Sequence, residues 1–192
     1  MTRTLHTVAV FCGSNPGATD DYARGADGLG RALARQGLIL VYGGTNKGLM
    51  KAVADSVLAH GGEAHGVITE RLHALGHVHP GLTRQEVVPT LSIRKARMME
   101  LADAFISLPG GIGTLEETMV VWSRNQLGEI DKPLGLLNIA AFFSPFLAFL
   151  DSMVQTKFLP PAHRAAISVD TDPEALIEKL RTFQATDVPK WL

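Results

Sequence analysis

Ala104-Phe105-Ile106-Ser107-Leu108-Pro109-Gly110-Gly111-Ile112-Gly113-Thr114-Leu115-Glu116-Glu117 reads as a strand, a glycine-rich turn and the opening of a helix, in that order. The run Ala104–Leu108 is apolar almost throughout, as expected of a strand covered on both faces. The turn runs directly into a helix predicted over Thr114–Leu127. The free N–H groups and positive dipole end of such a helix make a natural seat for a phosphate.

The same unit recurs on both sides of this stretch. Further strands are predicted at His6–Cys12, Leu38–Tyr42, Ala64–Ile68, Glu86–Val88 and Leu134–Leu137, with a short edge strand at Ile167–Val169. Helical periods fill the gaps. Asp20–Gln36 carries Tyr22, Ala26, Leu29 and Leu33 on one face and is ended by Gly37, and Gly48–His60 carries Leu49, Val53 and Val57. A helix is predicted over Ser92–Ala102. Another is capped by Ser144 with Pro145 in its first turn, and presents Phe146, Leu147, Leu150, Met153 and Val154. Asp172-Pro173 opens a last helix bearing Leu176, Ile177 and Leu180. Short apolar strands alternating with helices predict an α/β fold, a parallel sheet flanked by helices. No repeat or long linker divides the chain, so one domain spanning 1–192 is expected, with a core over about residues 4–182.

Composition narrows the function. A chain of 192 residues should bury about 70% of its unfolded surface and needs no disulfide or metal to fold. Its one cysteine, Cys12, fits a reducing compartment, and the cytoplasm is the expected location. The formal net charge is −1 and no run of like charges occurs, which argues against nucleic acid or a membrane surface as partner. The apolar run Leu134–Leu150 is interrupted by Asn138, Ser144 and Pro145 and does not suit a membrane span, and the N-terminal apolar run is too short for a signal peptide.

Three glycine-bearing turns follow predicted strands: Gly13-Ser14-Asn15, Gly43-Gly44-Thr45 and the Pro109–Thr114 turn. In open α/β sheets, ligands bind in the crevice at those strand ends. No P-loop motif is present, and Glu116 breaks the G-x-G-x-x-G pattern begun by Gly111, so neither an NTPase nor a dinucleotide-binding dehydrogenase is indicated. Arg94 opens the helix before the strand Ala104–Leu108, where its rigid fork of donors would suit phosphate or developing negative charge; the alternative is a solvated helix face. Glu117 also has two uses. Thr114-x-x-Glu117 matches a capping box, whereas a carboxylate beside a phosphate seat suggests chemistry. Glu116, a neighbour about 100° around the helix, is expected to face solvent. Leu115, Met119 and Trp122 make a stripe that belongs to the core or to a subunit seam, with the core preferred. His73, His77 and His79 lack the carboxylate or cysteine that would complete a zinc set, and are expected as solvated loop histidines.

Pro109–Glu117 matches a PGGxGTxxE motif, and Arg94-Lys95-x-x-Met98 an RKxxM element 23 residues before the glutamate. With Val10–Ser14, Val41–Gly44, Gly48-Leu49-Met50 and Asp131–Asn138, these motifs resemble the Lonely Guy (LOG) family of cytokinin riboside 5′-monophosphate phosphoribohydrolases over nearly the whole chain. The resemblance implies a Rossmann-like, doubly wound α/β fold and a homodimer or larger homo-oligomer. It also implies hydrolysis of the N-glycosidic bond of an N6-modified adenosine 5′-monophosphate, giving a free adenine-type base and ribose 5-phosphate. Arg94 and Glu117 would be the catalytic pair. Gly110, Gly111, Ile112, Gly113 and Thr114 would hold the phosphate, with Ser14, Gly43, Gly44 and Thr45 lining the site and Lys95, Met98 and Ser123 near the substrate. No metal or cofactor is implied. Some members carry the label lysine decarboxylase, yet nothing in these residues supports pyridoxal chemistry. Departures at Leu91-Ser92, Thr45, Lys51 and Gly76 bear on base preference more than on the hydrolytic core. Two other readings remain: a general purine nucleoside-monophosphate nucleosidase serving salvage, whose motifs would be identical, and a non-enzymatic molybdenum-cofactor carrier of similar fold and loops, which would not need the Arg94/Glu117 pair.

Overall fold

A computed structural model describes residues 2–185 and 188; the ends of the expected 1–192 domain, Met1 and residues 186–187 and 189–192, lie outside them. In chain order the elements are β1 (Thr7–Phe11), α1 (Asp20–Arg35), β2 (Ile39–Tyr42), α2 (Gly48–Ala59), β3 (Ala64–Thr69), α3 (Glu70–Ala74), β4 (Arg84–Val88), α4 (Leu91–Leu101), β5 (Ala104–Ser107), α5 (Ile112–Gln126), β6 (Leu134–Leu137), α6 (Ser144–Gln155), α7 (Pro161–Ala165), β7 (Ile167–Asp170) and α8 (Pro173–Thr182). The strands form one seven-stranded sheet in the order β4-β3-β2-β1-β5-β6-β7, every pair parallel. This is the doubly wound α/β arrangement expected from the sequence. The chain winds outward from β1 to β4, then crosses to β5 and winds the other way. Strands β1 and β5 therefore flank the switch point, where a crevice must open because the connections leave in opposite directions.

The two sheet faces carry separate cores. On one, α1, α2 and α8 bury Leu29, Leu33, Val53, Val57, Leu176 and Ile177 against Val8, Val10 and Leu40. On the other, α4, α5 and α6 bury Met98, Val121, Trp122 and Leu150 against Ala9, Phe11 and Phe105. The stripe expected on α5 divides: Trp122 is buried and Leu115 half-buried, but Met119 is exposed. On α6 only Leu150 is fully buried, and the rest of the predicted stripe packs at the edge of the core. Gly37 lies in the left-handed region just past α1, as its stop required.

Several local expectations are corrected. Ser144 does not cap α6; Phe143 is the N-cap residue, and the Ser144 hydroxyl lies 3.1 Å from Asn138 Nδ2. Asp172 does cap α8, accepting from the Ala175 N–H at 2.8 Å. Nor is there a capping box at Thr114/Glu117. Helix α5 starts two residues earlier than expected, with Gly111 as N-cap and no side-chain cap, so Thr114 stands in the first turn and Glu117 in the second. His79 is not solvated but 6% exposed. Its Nε2 faces Asp55 Oδ1 at 2.9 Å, and its Nδ1 accepts the Gly81 N–H at 3.1 Å. Since Nδ1 accepts, the ring proton sits on Nε2 and is donated to Asp55. The His79 N–H donates to the Gly44 carbonyl and the Asn46 N–H to that of His77, tying this segment to the second glycine turn.

Candidate active site at the sheet switch point

The crevice forms where two glycine turns meet. Phe11 and Ser107 are partners at the ends of β1 and β5, and beyond them the Leu108 N–H donates to Phe11 O (2.9 Å) and the Gly13 N–H to Pro109 O (3.0 Å). The turns are zipped so closely that a Cβ on Gly110 would overlap Thr114 Oγ1 and lie 2.8 Å from the Gly13 nitrogen. Only glycine fits there. The Gly13 carbonyl in turn accepts the Leu49 N–H of α2 at 3.0 Å, which draws a third strand end into the group.

A cleft of about 370 Å³ opens over this junction. One wall is the start of α5. Ile112, Gly113 and Thr114 occupy its first turn, where backbone N–H groups have no carbonyl behind them, and no acidic side chain stands there to compete for them. Ser14, Asn15 and Gly17 form a second wall, Met50 and Leu49 of α2 a third, and Tyr22 and Phe142 close the side toward α1. Arg94 and Glu117 are the charged side chains that line it.

The two charges are built in from opposite helices and face each other, Arg94 Nη1 standing 3.6 Å from Glu117 Oε1. Both are buried, at 6% and 7% exposure. Arg94 leaves the first turn of α4, a helix capped by Thr90, and its Nε donates to the Val67 carbonyl of β3 at 2.8 Å. Its guanidinium lies against Gly43, where a Cβ would overlap Nη2. The second glycine turn thus makes room for the arginine head. Burial pushes the Glu117 carboxyl above the ordinary glutamate range, with the Arg94 charge pulling the other way. Burial likewise lowers the Arg94 pKa, opposed by Glu117. Arginine remains a cation regardless, so the cleft floor offers a fixed positive charge next to a carboxyl that burial makes harder to ionise. Cys12 also reaches the cleft, and burial raises its thiol pKa, which leaves it a poor nucleophile.

The structure brings together most of the residues singled out in the sequence, but not all. Arg94, Glu117, Ser14 and Gly110–Thr114 line the cleft. Gly43 is buried behind Arg94 and Gly44 against Gly66 and Ile68 of β3, neither on the cleft surface, and Thr45 is buried with its hydroxyl 3.1 Å from Met50 Sδ. Lys95 turns away and pairs with Glu116. Met98 is fully buried in the core beneath the sheet, and Ser123 is exposed farther along α5; neither lines the cleft. Tyr22 and Phe142 line the cleft without having been expected there. Phe142 follows two alanines in left-handed backbone, Ala140 and Ala141 at φ 48° and 58°, a conformation no sequence signal announced. Among the described residues, no group of three or more His, Cys, Asp or Glu is placed to hold a metal ion.

Residues 50–180 match a family model described as a possible lysine decarboxylase. A cytokinin riboside 5′-monophosphate phosphoribohydrolase of Rhodococcoides fascians is 43% identical over 180 residues, covering 93% of this chain and 91% of that protein. A probable enzyme of the same name from Oryza sativa subsp. japonica is 42% identical, covering 92% and 78%. In fold the chain also resembles the molybdenum cofactor binding protein of Rippkaea orientalis, with a TM-score of 0.70 at 22% identity over 92% of this chain and 96% of that one. The Moco carrier protein of Chlamydomonas reinhardtii gives 0.69 at 19% identity, again over 92% and 96%. At such identities the likeness is one of fold alone. The identity to the hydrolases over nearly the full length, together with the family match, places this chain in the family of the cytokinin riboside 5′-monophosphate phosphoribohydrolases.

Proposed function

We propose that this protein hydrolyses the N-glycosidic bond of an N6-modified adenosine 5′-monophosphate, releasing the free base and ribose 5-phosphate. The observation that carries this is the buried Arg94–Glu117 pair, 3.6 Å apart beside an uncapped helix N-terminus. A seat for an anion and a reactive carboxyl in one cleft match a substrate with a phosphate at one end and a labile bond a sugar's length away.

The phosphate is held by the α5 N–H groups and the Gly13–Asn15 turn, so the chain spends no lysine on it. Anchoring there fixes the ribose over Glu117. As the base departs, positive charge develops on the sugar, and the Glu117 carboxylate stabilises it or takes a proton from the attacking water, as carboxylates do in glycosidases. Electrons flow onto the base, where the Arg94 cation offsets the charge they bring. Holding the two ends of the substrate contributes several kcal/mol by positioning, about the amount that a nucleoside lacking phosphate forfeits.

The protein acts in this reading as a cytoplasmic homodimer. Supporting that, Ile93 of α4 and Ile112 and Met119 of α5 are large apolar side chains left exposed, Ile112 at 88%. Sedimentation at micromolar concentration checks it; a monomer contradicts it. Among the described residues no helix is long and apolar enough to cross a membrane.

The test is chromatography of free base after incubation with isopentenyladenosine 5′-monophosphate, AMP and GMP in parallel. Preference for the isopentenyl nucleotide supports cytokinin activation. Equal turnover of AMP or GMP replaces it with general nucleotide salvage.

A further inference from the structure

Helix α5 presents an unusual combination: its first turn is bare of caps, yet two functions depend on its position. Gly111 at the N-cap offers no side chain, Gly113 follows two residues later, and no carboxylate stands in the first turn. Glycine at the N-cap forgoes only a few tenths of a kcal/mol relative to a capping side chain, but it leaves the first-turn N–H groups with no side-chain partner to fix them. The same open end must hold an anion, and Glu117 one turn on must hold its place to within a fraction of an ångström.

A tie to the sheet sits one turn further in. Ser107, the last residue of β5, and Thr118, next to Glu117, are both fully buried, their hydroxyl oxygens 2.7 Å apart. Thr118 Oγ1 also lies 2.6 Å from the Thr114 carbonyl oxygen. That oxygen can only accept, so the Thr118 proton is committed to it. Ser107 must then be the donor to Thr118, and the chain Ser107→Thr118→Thr114 runs in one direction. A threonine bonding back to its own helix is common and by itself says little. Here the same hydroxyl is gripped by a strand end that lies in register with β1 at the switch point, through Phe11.

We propose that Ser107 and Thr118 form a hydroxyl latch that positions α5, holding its open first turn and Glu117 in register with the two zipped glycine turns. Both are positioning residues, and neither touches the substrate. The latch replaces, from inside the helix, the cap that would otherwise occupy the anion seat. This inference rests on the hydrolase reading above.

The test separates positioning from stability. Thr118→Val keeps the shape and removes the hydroxyl; Ser107→Ala removes the other partner. Thr118→Val leaves the buried Ser107 hydroxyl without its acceptor, so the denaturation midpoint falls; Ser107→Ala leaves Thr118 still donating to the Thr114 carbonyl and costs less, and the double variant strands no hydroxyl and regains most of what Thr118→Val loses. Turnover behaves differently if the latch positions α5. The double variant remains down about tenfold or more in kcat and binds ribose 5-phosphate more weakly, because helix register is lost whether or not the fold is stable. Thr118→Ser, which keeps the hydroxyl, retains wild-type kcat. A double variant with wild-type kcat overturns the latch, as does Thr118→Ser being as slow as Thr118→Val. A wild-type protein with no turnover on any nucleotide overturns the hydrolase reading instead. The latch then stands or falls on whether the double variant binds ribose 5-phosphate less tightly than wild type.

Discussion

Replacing Gly43 by alanine adds one methyl group at the back of the site, and its consequence can be worked through from geometry. The new Cβ would overlap Arg94 Nη2 and stand 3.1 Å from both Arg94 Cζ and Met50 Sδ. The backbone at Gly43 itself imposes no left-handed strain, so the whole effect is a collision. Relief has to come from the guanidinium, which must retreat by more than an ångström to restore normal contact. It cannot retreat freely: Nε is bound to the Val67 carbonyl, and Nη1 faces Glu117 at 3.6 Å. Moving the head sacrifices one of these. Overpacking a core typically costs about 1–3 kcal/mol. Weakening a buried charge pair adds to that, because a buried ion left without its partner is destabilising by about 3–5 kcal/mol at the extreme. The expected total is about 2–4 kcal/mol lost from stability. A displacement of about 1 Å in a catalytic group costs about 100-fold in rate, so kcat for base release should fall by about that factor. The anion seat on α5 is untouched, and ribose 5-phosphate should bind as before. Urea denaturation, base release and a ribose 5-phosphate titration measure all three on one preparation. A folded Gly43→Ala protein with wild-type kcat would refute the claim that Arg94 acts from this position.

Further predictions follow from the same contacts. Burial holds the Glu117 pKa above its unfolded value, so the folded state binds more protons than the unfolded chain between those two values, and stability declines as pH rises through that window. In Glu117→Gln that slope should vanish in pH-dependent urea melts; in the wild type, kcat/KM should rise with pH along an acid limb lying above the ordinary glutamate range. His79→Ala removes the donor to Asp55 and the acceptor for Gly81, and should cost about 1–3 kcal/mol, with wild-type midpoints contradicting the buried role. Ala140→Gly relieves a left-handed alanine whose conformation costs about 1–2 kcal/mol, partly offset by glycine's greater unfolded entropy; thermal melts should show a small gain in stability, and a loss would contradict the strain.

The sheet and its glycine turns were legible because the signals are local. Short, mostly apolar runs of three to seven residues between turn residues located the seven described strands to within about two residues, and Asp172 announced its cap. The start of α5 was misplaced because Gly111-Ile112-Gly113 has loop composition, yet its last two residues take helical backbone. That two-residue shift is what converts Glu117 from a capping residue into a buried second-turn carboxyl. The helices α3 and α7 are five residues each, too short to show a period. Strand order is a long-range property and no local pattern encodes it. His79 illustrates the same limit: its partner Asp55 lies 24 positions away, so nothing in the sequence marked this histidine as buried. Met98 and Lys95 show the converse, since a shared motif brackets the site, while the facing of each helical residue depends on packing that the motif does not describe.

In the proposed reaction Glu117 acts on the glycosidic bond of a nucleotide anchored at the α5 N-terminus. The most direct test is release of free base and ribose 5-phosphate from isopentenyladenosine 5′-monophosphate by wild type and Glu117→Gln, with nucleotide binding measured in both. Wild type should give equimolar products, and the variant intact binding with turnover reduced by at least about 1,000-fold, the scale of removing a reacting group. Full turnover by Glu117→Gln, or a wild-type protein that binds the nucleotide tightly and releases no base, would contradict it.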